Sequence, residues 1–432
     1  MIYSEAVQYL YDRLPVFHQI GGAAYKPGLG NTIKLLDALN NPQQTYKTIH
    51  IAGTNGKGSV SHMLASVLQH AGYKVGLYTS PHLVDFGERI RVNGQQISPD
   101  YVVEFVERNQ RLFDEVQPSF FEATMSMAFA YFAEERVDVA VIETGLGGRL
   151  DSTNIIKPEL SVITNISFDH TGFLGDTLEK IAVEKAGIIK QNTPVVIGEA
   201  VAETRPVFVK QAGEKQAPLF FAEEKLWVVS HAYEGDKMQV VMSDGNVYRM
   251  DLTGIYQLKN IVTVLVAIER LNKNGFLISE NAVHSGLKTV VKTTGLRGRW
   301  QVVSERPKIV LDTGHNVGGI QFVIHQLQRE AYRKLRIVIG MVNDKDISTV
   351  LSLLPKDALY YFTQAQVNRA LPAEDLLQQA RHYDLKGKSF TTIPDAISQA
   401  MEDMTSDDFL FIGGSNFVVG EALQYLSYLV SQ

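Results

Sequence analysis

The chain contains no cysteine among its 432 residues, so disulfides, thiolate metal sites, iron–sulfur clusters and a cysteine nucleophile are all excluded. It also has no apolar run near the roughly 20 residues that a membrane-spanning helix needs. Its first residues, Met1–Pro15, carry acidic and tyrosine side chains where a signal peptide has a basic start and an apolar core. We therefore expect a cytoplasmic protein without a membrane partner.

Excess charge of either sign is scarce as well. The chain has 41 lysines and arginines against 47 aspartates and glutamates, a formal net charge of −6. This balance argues against a protein that binds nucleic acid through bulk positive charge. At about 150 residues per domain, the length suffices for two or three domains, each with its own core.

Short β-branched runs alternate with longer amphipathic stretches, which is typical of an α/β fold with a mostly parallel sheet. The predicted strands are Thr48–Ala52, Lys74–Thr79, Val137–Glu143 and Leu160–Asn165. The predicted helices are Lys57–Ala71, Tyr101–Val116, Thr124–Glu135, Thr177–Lys190, Tyr256–Asn274 and Glu280–Val291.

Two departures from this alternation indicate the domain organisation. Between residues 216 and 250 the hydrophobic period shortens to two, and Asp244-Gly245 is typical of a hairpin turn, which predicts a small antiparallel section. Small, basic and turn-prone residues near 295–298 predict a boundary between domains 1–296 and 297–432. The alternation then restarts, so we expect a second, doubly wound Rossmann-like domain.

The segment GTNGKGS follows a buried strand and precedes a helix. Glycines let backbone N–H groups surround a phosphate, and the helix N-terminus adds partial positive charge. This predicts an ATP-binding loop, in which Lys57 reaches the β- and γ-phosphates and Ser59 offers a hydroxyl to Mg²⁺. The residues of the predicted loop are Gly53, Thr54, Asn55, Gly56, Lys57, Gly58 and Ser59. A glycine separates its lysine from its serine, unlike in the usual phosphate loop.

A second candidate site residue is Glu143, at the end of an apolar strand in VDVAVIETGLGGRLDSTN. A carboxylate in that position, beside a phosphate loop, is where α/β nucleotide enzymes hold Mg²⁺. The glycines that follow do not form a dinucleotide-binding motif, because Leu150 stands where its third glycine would be.

The motifs GTNGKGS, GLYTSPHL and IETGLGGRLDSTN together resemble the folylpolyglutamate synthase and dihydrofolate synthase family, which belongs to the Mur ligase superfamily. The resemblance continues to GGSNFVVGE near the C-terminus and so covers nearly the whole chain. It implies an ATP- and Mg²⁺-dependent ligase of folate biosynthesis that joins L-glutamate to a folate through an acyl phosphate. Dihydropteroate, tetrahydrofolate or both remain open as acceptors, and the likeness to bacterial members favours both.

The resemblance also implies a catalytic and metal-binding set. A lone histidine at a strand end, or a lysine on a helix, is more often structural, and only the match of the flanking residues assigns these a role. Two Mg²⁺ ions would be held by Ser59, Ser80, Glu143 and His170. The catalytic residues would be Lys57, His170, Lys185 and His315, with Lys185 carbamylated.

Further positions are implied as ligand contacts. Asn260, Arg299 and Asp312 would bind ATP, with Arg299, Asp312 and His315 contributed by the second domain. The pterin side of the substrate would meet Phe121, Thr124, Arg149 and Asp151. The segment Gln19–Asn31 lies where family members contact dihydropteroate or nucleotide. The family usually has Asp-Gly-Ala-His-Asn where this chain has Asp-Thr-Gly-His-Asn, which puts close backbone approach at Thr313 in question.

Two alternative functions share part of this motif set. A Mur-type peptidoglycan amino-acid ligase carries a UDP-binding domain before its phosphate loop, and here 52 residues precede Gly53, too few for a domain of about 100. A P-loop ATPase without ligase chemistry has no need of Glu143, His170 and Lys185 together. We expect a monomer whose partners are ATP, L-glutamate and a folate or dihydropteroate, without nucleic acid.

Overall fold

The structure is a computed structural model that describes residues 1–15, 28–343 and 345–430. It divides into two compact units, the first made of Met1–His82 with Phe86–Leu296, the second of Leu83–Asp85 with Arg297–Gln432. Each unit layers helices on a mostly parallel sheet, which confirms the predicted fold class. No sequence pattern indicated that three residues of the N-terminal half belong to the second unit.

The first unit contains one large sheet, one small sheet and the helices that cover them. Its strands are β1 (Lys47–Ala52), β2 (Val75–Tyr78), β3 (Ile90–Val92), β4 (Gln95–Gln96), β5 (Val139–Glu143), β6 (Leu160–Ile163), β7 (Val195–Ile197), β8 (Leu219–Phe221), β9 (Val228–Glu234), β10 (Lys237–Met242) and β11 (Val247–Met250). Its helices are α1 (Tyr3–Arg13), α2 (Gly30–Ala38), α3 (Lys57–His70), α4 (Pro99–Val116), α5 (Phe120–Glu134), α6 (Thr171–Leu174), α7 (Leu178–Ala186), α8 (Arg205–Glu214), α9 (Ala222–Lys225), α10 (Gln257–Lys273), α11 (Glu280–Lys288) and α12 (Val290–Thr294).

The large sheet has the strand order β4-β3-β2-β5-β1-β6-β7-β8, and its pairings are parallel except for β2 with β3 and β3 with β4. Strand β1 pairs with β5 on one side and β6 on the other, with Ile51 opposite Glu143 and Ala52 opposite Ile163. Because parallel strands end at the same edge, the loops after β1, β2, β5 and β6 follow neighbouring strand ends. That edge carries the candidate site.

Helix α3 is buried along nearly its whole length, from Ser59 to Leu68, because helices of the same unit cover the side that faces away from the sheet. The closest approach is at Gly286 in α11, where an added Cβ would lie 2.6 Å from Cα of Val67. The hydroxyl of Ser66 donates to the carbonyl of Gly286 at 2.8 Å. Only a residue without a side chain allows the two backbones to meet in this way.

The predicted antiparallel section is present but shorter than expected. Strands β9, β10 and β11 form a separate antiparallel sheet, and the predicted turn at Asp244-Gly245 joins the last two. The residues before it do not belong to this sheet: Leu219–Phe221 is the last parallel strand of the large sheet, and Ala222–Lys225 is a helical turn. The antiparallel section predicted over 216–250 therefore begins only at Val228, and its first part was wrongly assigned.

Two predicted helices are also shorter than expected. The helix predicted over Thr177–Lys190 ends at Ala186, and an added Cβ on Gly187 would lie 2.3 Å from Cα of Arg149, so the chain is held against another loop there. The helix predicted over Glu280–Val291 ends at Lys288. A new helix starts at Val290, whose backbone N–H donates to the carboxylate of Asp251.

The second unit is the predicted doubly wound domain. Its strands are β12 (Gln301–Glu305), β13 (Lys308–Asp312), β14 (Leu335–Ile339), β15 (Leu359–Phe362), β16 (Lys386–Ser389) and β17 (Phe409–Gly413). Its helices are α13 (Val317–Leu327), α14 (Ile347–Leu353), α15 (Ala373–Arg381), α16 (Ile393–Glu402) and α17 (Asn416–Val430). The strand order is β12-β13-β17-β14-β15-β16, and only β12 is antiparallel.

The detached segment Leu83–Asp85 is built into this second unit. Leu83 and Val84 pack against a core cluster that includes Val418 and Val419 of α17. An added Cβ on Gly420 would lie 2.2 Å from the carbonyl oxygen of Leu83, so the segment lies directly on the helix backbone. None of the described helices has both the length and the apolar character needed to cross a membrane.

The contact at Gly286 generates a stability prediction. Gly286→Ala places a methyl group against the backbone of α3, so we expect the free energy of unfolding to fall by about 1–3 kcal/mol. Gly213→Ala in α8 is the matched control, because an added Cβ there has no neighbour within 4 Å, and it should gain about 0.5–1 kcal/mol. Urea unfolding measures both, and equal effects in the two variants would contradict the close helix contact.

Candidate active site

The predicted phosphate loop forms between the end of β1 at Ala52 and the start of α3 at Lys57. Gly53 and Gly56 have φ angles of +144° and +85°, which favour glycine. Both positions are also tightly covered: an added Cβ would lie 1.9 Å from Oγ1 of Thr164 and 2.4 Å from Oδ1 of Asn260, respectively. The glycines are therefore needed for the backbone conformation and for the space around it.

The segment after β6 holds this loop in place. Asn165 accepts the backbone N–H of Thr54 on its carbonyl and that of Asn55 on its side-chain oxygen, at 2.9 and 3.0 Å. Thr164 donates its hydroxyl to the carbonyl of Asn55 at 2.6 Å, and Ser167 exchanges hydrogen bonds with Thr54. The loop shape is thus fixed by neighbours that are more than a hundred residues distant in sequence.

Two lysine side chains converge on one carbonyl oxygen of the loop. Lys57 donates to the carbonyls of Gly53 and Thr54 at 3.1 and 3.2 Å, and Lys185 of α7 donates to Gly53 at 2.9 Å. Lys185 is almost completely buried. Burial, and secondarily the charge of Lys57, lower the pKa of Lys185 to about 7, although Asp169 and Asp151 oppose the shift. A large part of the Lys185 side chains is therefore neutral near pH 7.

Ser59 is fixed by a polar chain that starts in α10. The side-chain N–H of Gln257 donates to the Ser59 hydroxyl oxygen at 3.1 Å, and Asn260 donates to the side-chain oxygen of Gln257 at 2.7 Å. All three residues are buried, and Asn260 also lies against Gly56. The predicted metal ligand and the predicted nucleotide contact are therefore joined through a residue that sequence reasoning missed.

Glu143 lies at the end of β5 with its side chain buried, and it accepts the backbone N–H of Ser80 at 3.3 Å. His170 caps the N-terminus of α6 in a left-handed conformation (φ 50°), three residues beyond Ser167, with its Nε2 3.9 Å from a carboxylate oxygen of Asp169. In the described part of the chain, no three His, Asp or Glu side chains form a ready metal cluster. A cation at this site would need oxygen ligands from a nucleotide as well.

The loop Gly145–Gly148 is held down by Asp151. Its carboxylate accepts the backbone N–H groups of Gly145 and Leu146 at 2.9 and 2.8 Å, and both the N–H and the hydroxyl of Thr153. Burial raises the pKa of Asp151, although these hydrogen bonds oppose the shift. Four donors already occupy this carboxylate, so its observed contacts are with the protein itself.

The other predicted substrate residues differ in their surroundings. Arg149 is half exposed and donates from Nε and Nη2 to Glu184, at 3.2 and 2.8 Å. Phe121 lies against the backbone of Gly145, whereas Thr124 is fully buried and its hydroxyl bonds to the carbonyl of Phe121 and to the Tyr78 hydroxyl, both at 3.2 Å. Of the segment Gln19–Asn31, residues 19–27 lie outside the described residues.

The predicted residues of the second unit form a group of their own. Asp312 accepts the backbone N–H groups of Trp300 and Gly314, both at 2.7 Å, so it joins the loops after β13 and before β12. Nδ1 of His315 lies 2.9 Å from the carbonyl oxygen of Thr313, so Nδ1 carries the proton and donates it. Arg299 donates from Nη1 to the carbonyl of Gly298 and to the hydroxyl of Thr313.

A buried arginine near Ser80 was missed by the sequence reasoning. Arg89 is 1% exposed and donates from Nε to Nδ1 of His82 at 2.8 Å, while Nε2 of His82 contacts the Tyr11 hydroxyl at 3.1 Å. Because arginine only donates, Nδ1 of this histidine has no proton and the imidazole is neutral. Arg89 is the first of two arginines in GERIR, and no pattern in this charged stretch distinguishes it as a site residue.

Comparisons with known proteins agree with this geometry. Residues 51–268 match the Mur ligase middle domain, and residues 298–416 match the Mur ligase glutamate ligase domain. The chain is 34% identical over 434 residues to the dihydrofolate synthase/folylpolyglutamate synthase of Bacillus subtilis (strain 168), covering 97% of this chain and 98% of the relative.

Solved structures show the same relationship. E. coli FolC in complex with DHPP and ADP is similar with a TM-score of 0.85 and 30% identity, covering 100% of this chain and 99% of FolC. A bifunctional folylpolyglutamate synthase/dihydrofolate synthase with Mn, AMPPNP and L-glutamate bound has a TM-score of 0.83 and 27% identity, covering 99% and 98% of the two chains. The chain therefore belongs to the folylpolyglutamate synthase/dihydrofolate synthase family of Mur-type, ATP-dependent amide ligases.

Proposed function

We propose that this chain is a cytoplasmic, monomeric ligase that uses ATP to join L-glutamate to a folate carboxyl group, and that it accepts both dihydropteroate and tetrahydrofolate. The observation that carries the proposal is the phosphate loop with two lysine side chains on one carbonyl, beside the strand-end carboxylate of Glu143. The DHPP, ADP, AMPPNP and L-glutamate bound in the related structures support the same substrate classes.

The chemistry needs an activated carboxyl group, because a free carboxylate is a poor acyl donor. In the first step a carboxylate oxygen attacks the γ-phosphorus of ATP and the bond to the bridging oxygen breaks, giving an acyl phosphate and ADP. The neutral amine of L-glutamate then attacks the acyl carbon, phosphate leaves, and the nitrogen loses a proton. Catalysis of the first step is largely electrostatic, since negative charge must be neutralised on the transferred group.

Lys57 is the group of this chain best placed to neutralise that charge. Its ammonium carries three donors, two of which are directed at the loop carbonyls of Gly53 and Thr54. A phosphate held by the loop N–H groups would meet a cation already positioned on the same loop. Ser59 adds a hydroxyl whose orientation is fixed by Gln257.

The residues present fit a Mg²⁺ site at the sheet edge. Glu143 offers a buried carboxylate and Ser59 a hydroxyl oxygen, the ligand type that Mg²⁺ prefers, and Ser80 and His170 would complete the protein's share. We assign two Mg²⁺ ions to this set together with nucleotide oxygens. When bound, these cations would stabilise the negative charge on the phosphate oxygens.

Carbamylation of Lys185 is the second part of the proposal. The ammonium first loses a proton, the neutral amine then attacks CO₂, an N–C bond forms and a second proton is released, so that the former cation becomes an oxygen anion suited to a hard metal ion. With a pKa of about 7, Lys185 is about half neutral at pH 7, against about one part in 3,000 for an ordinary lysine. The buried position thus favours carbamate formation at this lysine.

Arg299, Asp312 and His315 of the second unit complete the proposed catalytic and ATP-binding residues. Asp312 has both carboxylate oxygens on backbone N–H groups, so we assign it the positioning of its loop. We assign phosphate binding to Arg299 and a polar contact with the nucleotide to His315. The assignments of Arg299 and His315 rest on the family resemblance.

Phosphate release tests the proposed function directly. With ATP and L-glutamate present, release should require dihydropteroate or tetrahydrofolate, and each should support it when offered alone.

Lys57→Ala should lower the rate of phosphate release by at least about a hundredfold without unfolding the protein, because it removes a phosphate-binding charge and no core contact. Release without an amino-acid acceptor would favour a simple ATPase, and near-normal turnover by folded Lys57→Ala would contradict the loop assignment.

Glu143→Gln tests the metal site, because it keeps the shape of the side chain and removes its charge. We expect the rate to fall by about two to four orders of magnitude and the Mg²⁺ concentration for half-maximal activity to rise. Binding of ADP without Mg²⁺ is the control and should match that of the unmodified protein. An unchanged Mg²⁺ requirement would show that Glu143 does not hold the cation.

The carbamate predicts a dependence on CO₂ and pH. Protein stripped of CO₂ should lose activity and regain it with bicarbonate, and the recovery should weaken as pH falls below about 7, because the amine becomes protonated. Carbon-13 NMR with labelled bicarbonate should show a carbamate signal that is absent from Lys185→Ala. Lys190→Ala is the matched control, because burial also lowers the pKa of Lys190, to about 8. A signal that persists in Lys185→Ala would refute the assignment.

A further inference from the structure

The side chain of Thr313 occupies a defined place in the second unit. It is buried, and its backbone N–H and its hydroxyl both donate to the carbonyl of Gly298 at 3.1 Å. Because a hydroxyl has a single hydrogen, this donation directs its oxygen lone pairs away from Gly298. Arg299 donates from Nη1 to that oxygen.

The donors of Arg299 can be accounted for one by one. A guanidinium has five N–H groups, two on each Nη and one on Nε. The two on Nη1 are directed at the Gly298 carbonyl, at 3.2 Å, and at the Thr313 hydroxyl. Within the described residues, Nε and Nη2 have no hydrogen-bond acceptor, and together they form the edge of the guanidinium that binds two oxygens of one phosphate.

The backbone around this pair is rigid, which gives the hydroxyl a fixed place. The carboxylate of Asp312 holds the N–H groups of Trp300 and Gly314, so the two loops are tied on either side of the contact. Gly298 has a φ of +70°, and an added Cβ there would lie 3.0 Å from the Thr313 methyl group. Arginine side chains lose much conformational freedom on binding an anion, and a fixed anchor reduces that loss.

We propose that Thr313 is a positioning residue that orients Arg299, holding Nη1 through its hydroxyl so that the Nε–Nη2 edge is presented to a phosphate group of ATP. A glycine or alanine at this position has no hydroxyl and leaves only the Gly298 carbonyl as the anchor. The inference rests on the proposed ATP-dependent function and on phosphate binding by Arg299. It adds a residue that does not itself contact substrate.

The test compares side chains that differ only in the hydroxyl or the methyl group. Thr313→Val keeps the shape and removes the hydroxyl, and it should raise the KM for ATP about tenfold, the order expected for one charge-assisted hydrogen bond. Thr313→Ser restores the hydroxyl and should restore most of the lost affinity. Thr363→Val, which removes another buried hydroxyl of the same unit, is the matched control and should leave the KM unchanged. Thermal unfolding reports the fold of each variant independently.

A double-mutant cycle with Arg299 separates positioning from a general structural effect. Arg299→Ala alone should raise the KM for ATP by more than Thr313→Val, and adding Thr313→Val to it should cause no further rise. Additive effects of the two substitutions on the KM for ATP would overturn the positioning role of Thr313. The same conclusion would follow if Thr313→Val and Thr313→Ser had equal KM values while Arg299→Ala was impaired. Either result would leave phosphate binding by Arg299 intact. An unimpaired Arg299→Ala protein would instead refute phosphate binding by Arg299, and the inference with it.

Discussion

The placement of two lysine side chains on the carbonyl oxygen of Gly53 is the constraint on which the site depends. One carbonyl cannot neutralise two cations, and burial makes the charge of Lys185 still more costly. The electrostatic repulsion between the two lysines falls when a polyanion occupies the loop or when Lys185 loses its proton. The same geometry thus favours a triphosphate beside Lys57 and a neutral, reactive amine at Lys185, so one electrostatic conflict serves two proposed steps.

The parallel sheet makes this arrangement possible. Strands β1, β2, β5 and β6 are neighbours that end at one edge, so residues from distant parts of the sequence follow adjacent strand ends. The phosphate loop is shaped by hydrogen bonds from Thr164 and Asn165, and Glu143 holds the chain at Ser80. Each of these residues is positioned by a strand in the interior, and each presents its polar group where the strand ends. The site therefore takes its rigidity from the sheet, although its chemistry lies in loops.

The sequence predicted the features that depend only on residues close together in the chain. The phosphate loop, the strand ending at Glu143 and the hairpin turn at Asp244 follow from periodicity and turn residues. The early end of the helix at Ala186 did not, because the backbone of Arg149 stops it from another part of the chain. The same holds for the site: Gln257 orients Ser59 from 198 residues away in sequence, and Asp151 has its oxygens occupied by backbone N–H groups and a hydroxyl that no pattern of residue types reveals.

Because the short segment Leu83–Asp85 belongs to the second unit, residues 297–432 cannot be treated as a self-contained folding unit. Its leucine and valine complete the core beside α17, and Gly420 leaves room for the Leu83 backbone, so residues 297–432 alone do not contain the whole hydrophobic core of their own unit. Recombination at the boundary after Leu296 would transfer the sheet and helices of the second unit but not the segment Leu83–Asp85. The two parts of the chain therefore cannot be exchanged independently. Exchange of sequence between relatives would preserve the packing only when the segment Leu83–Asp85 and helix α17 come from the same parent.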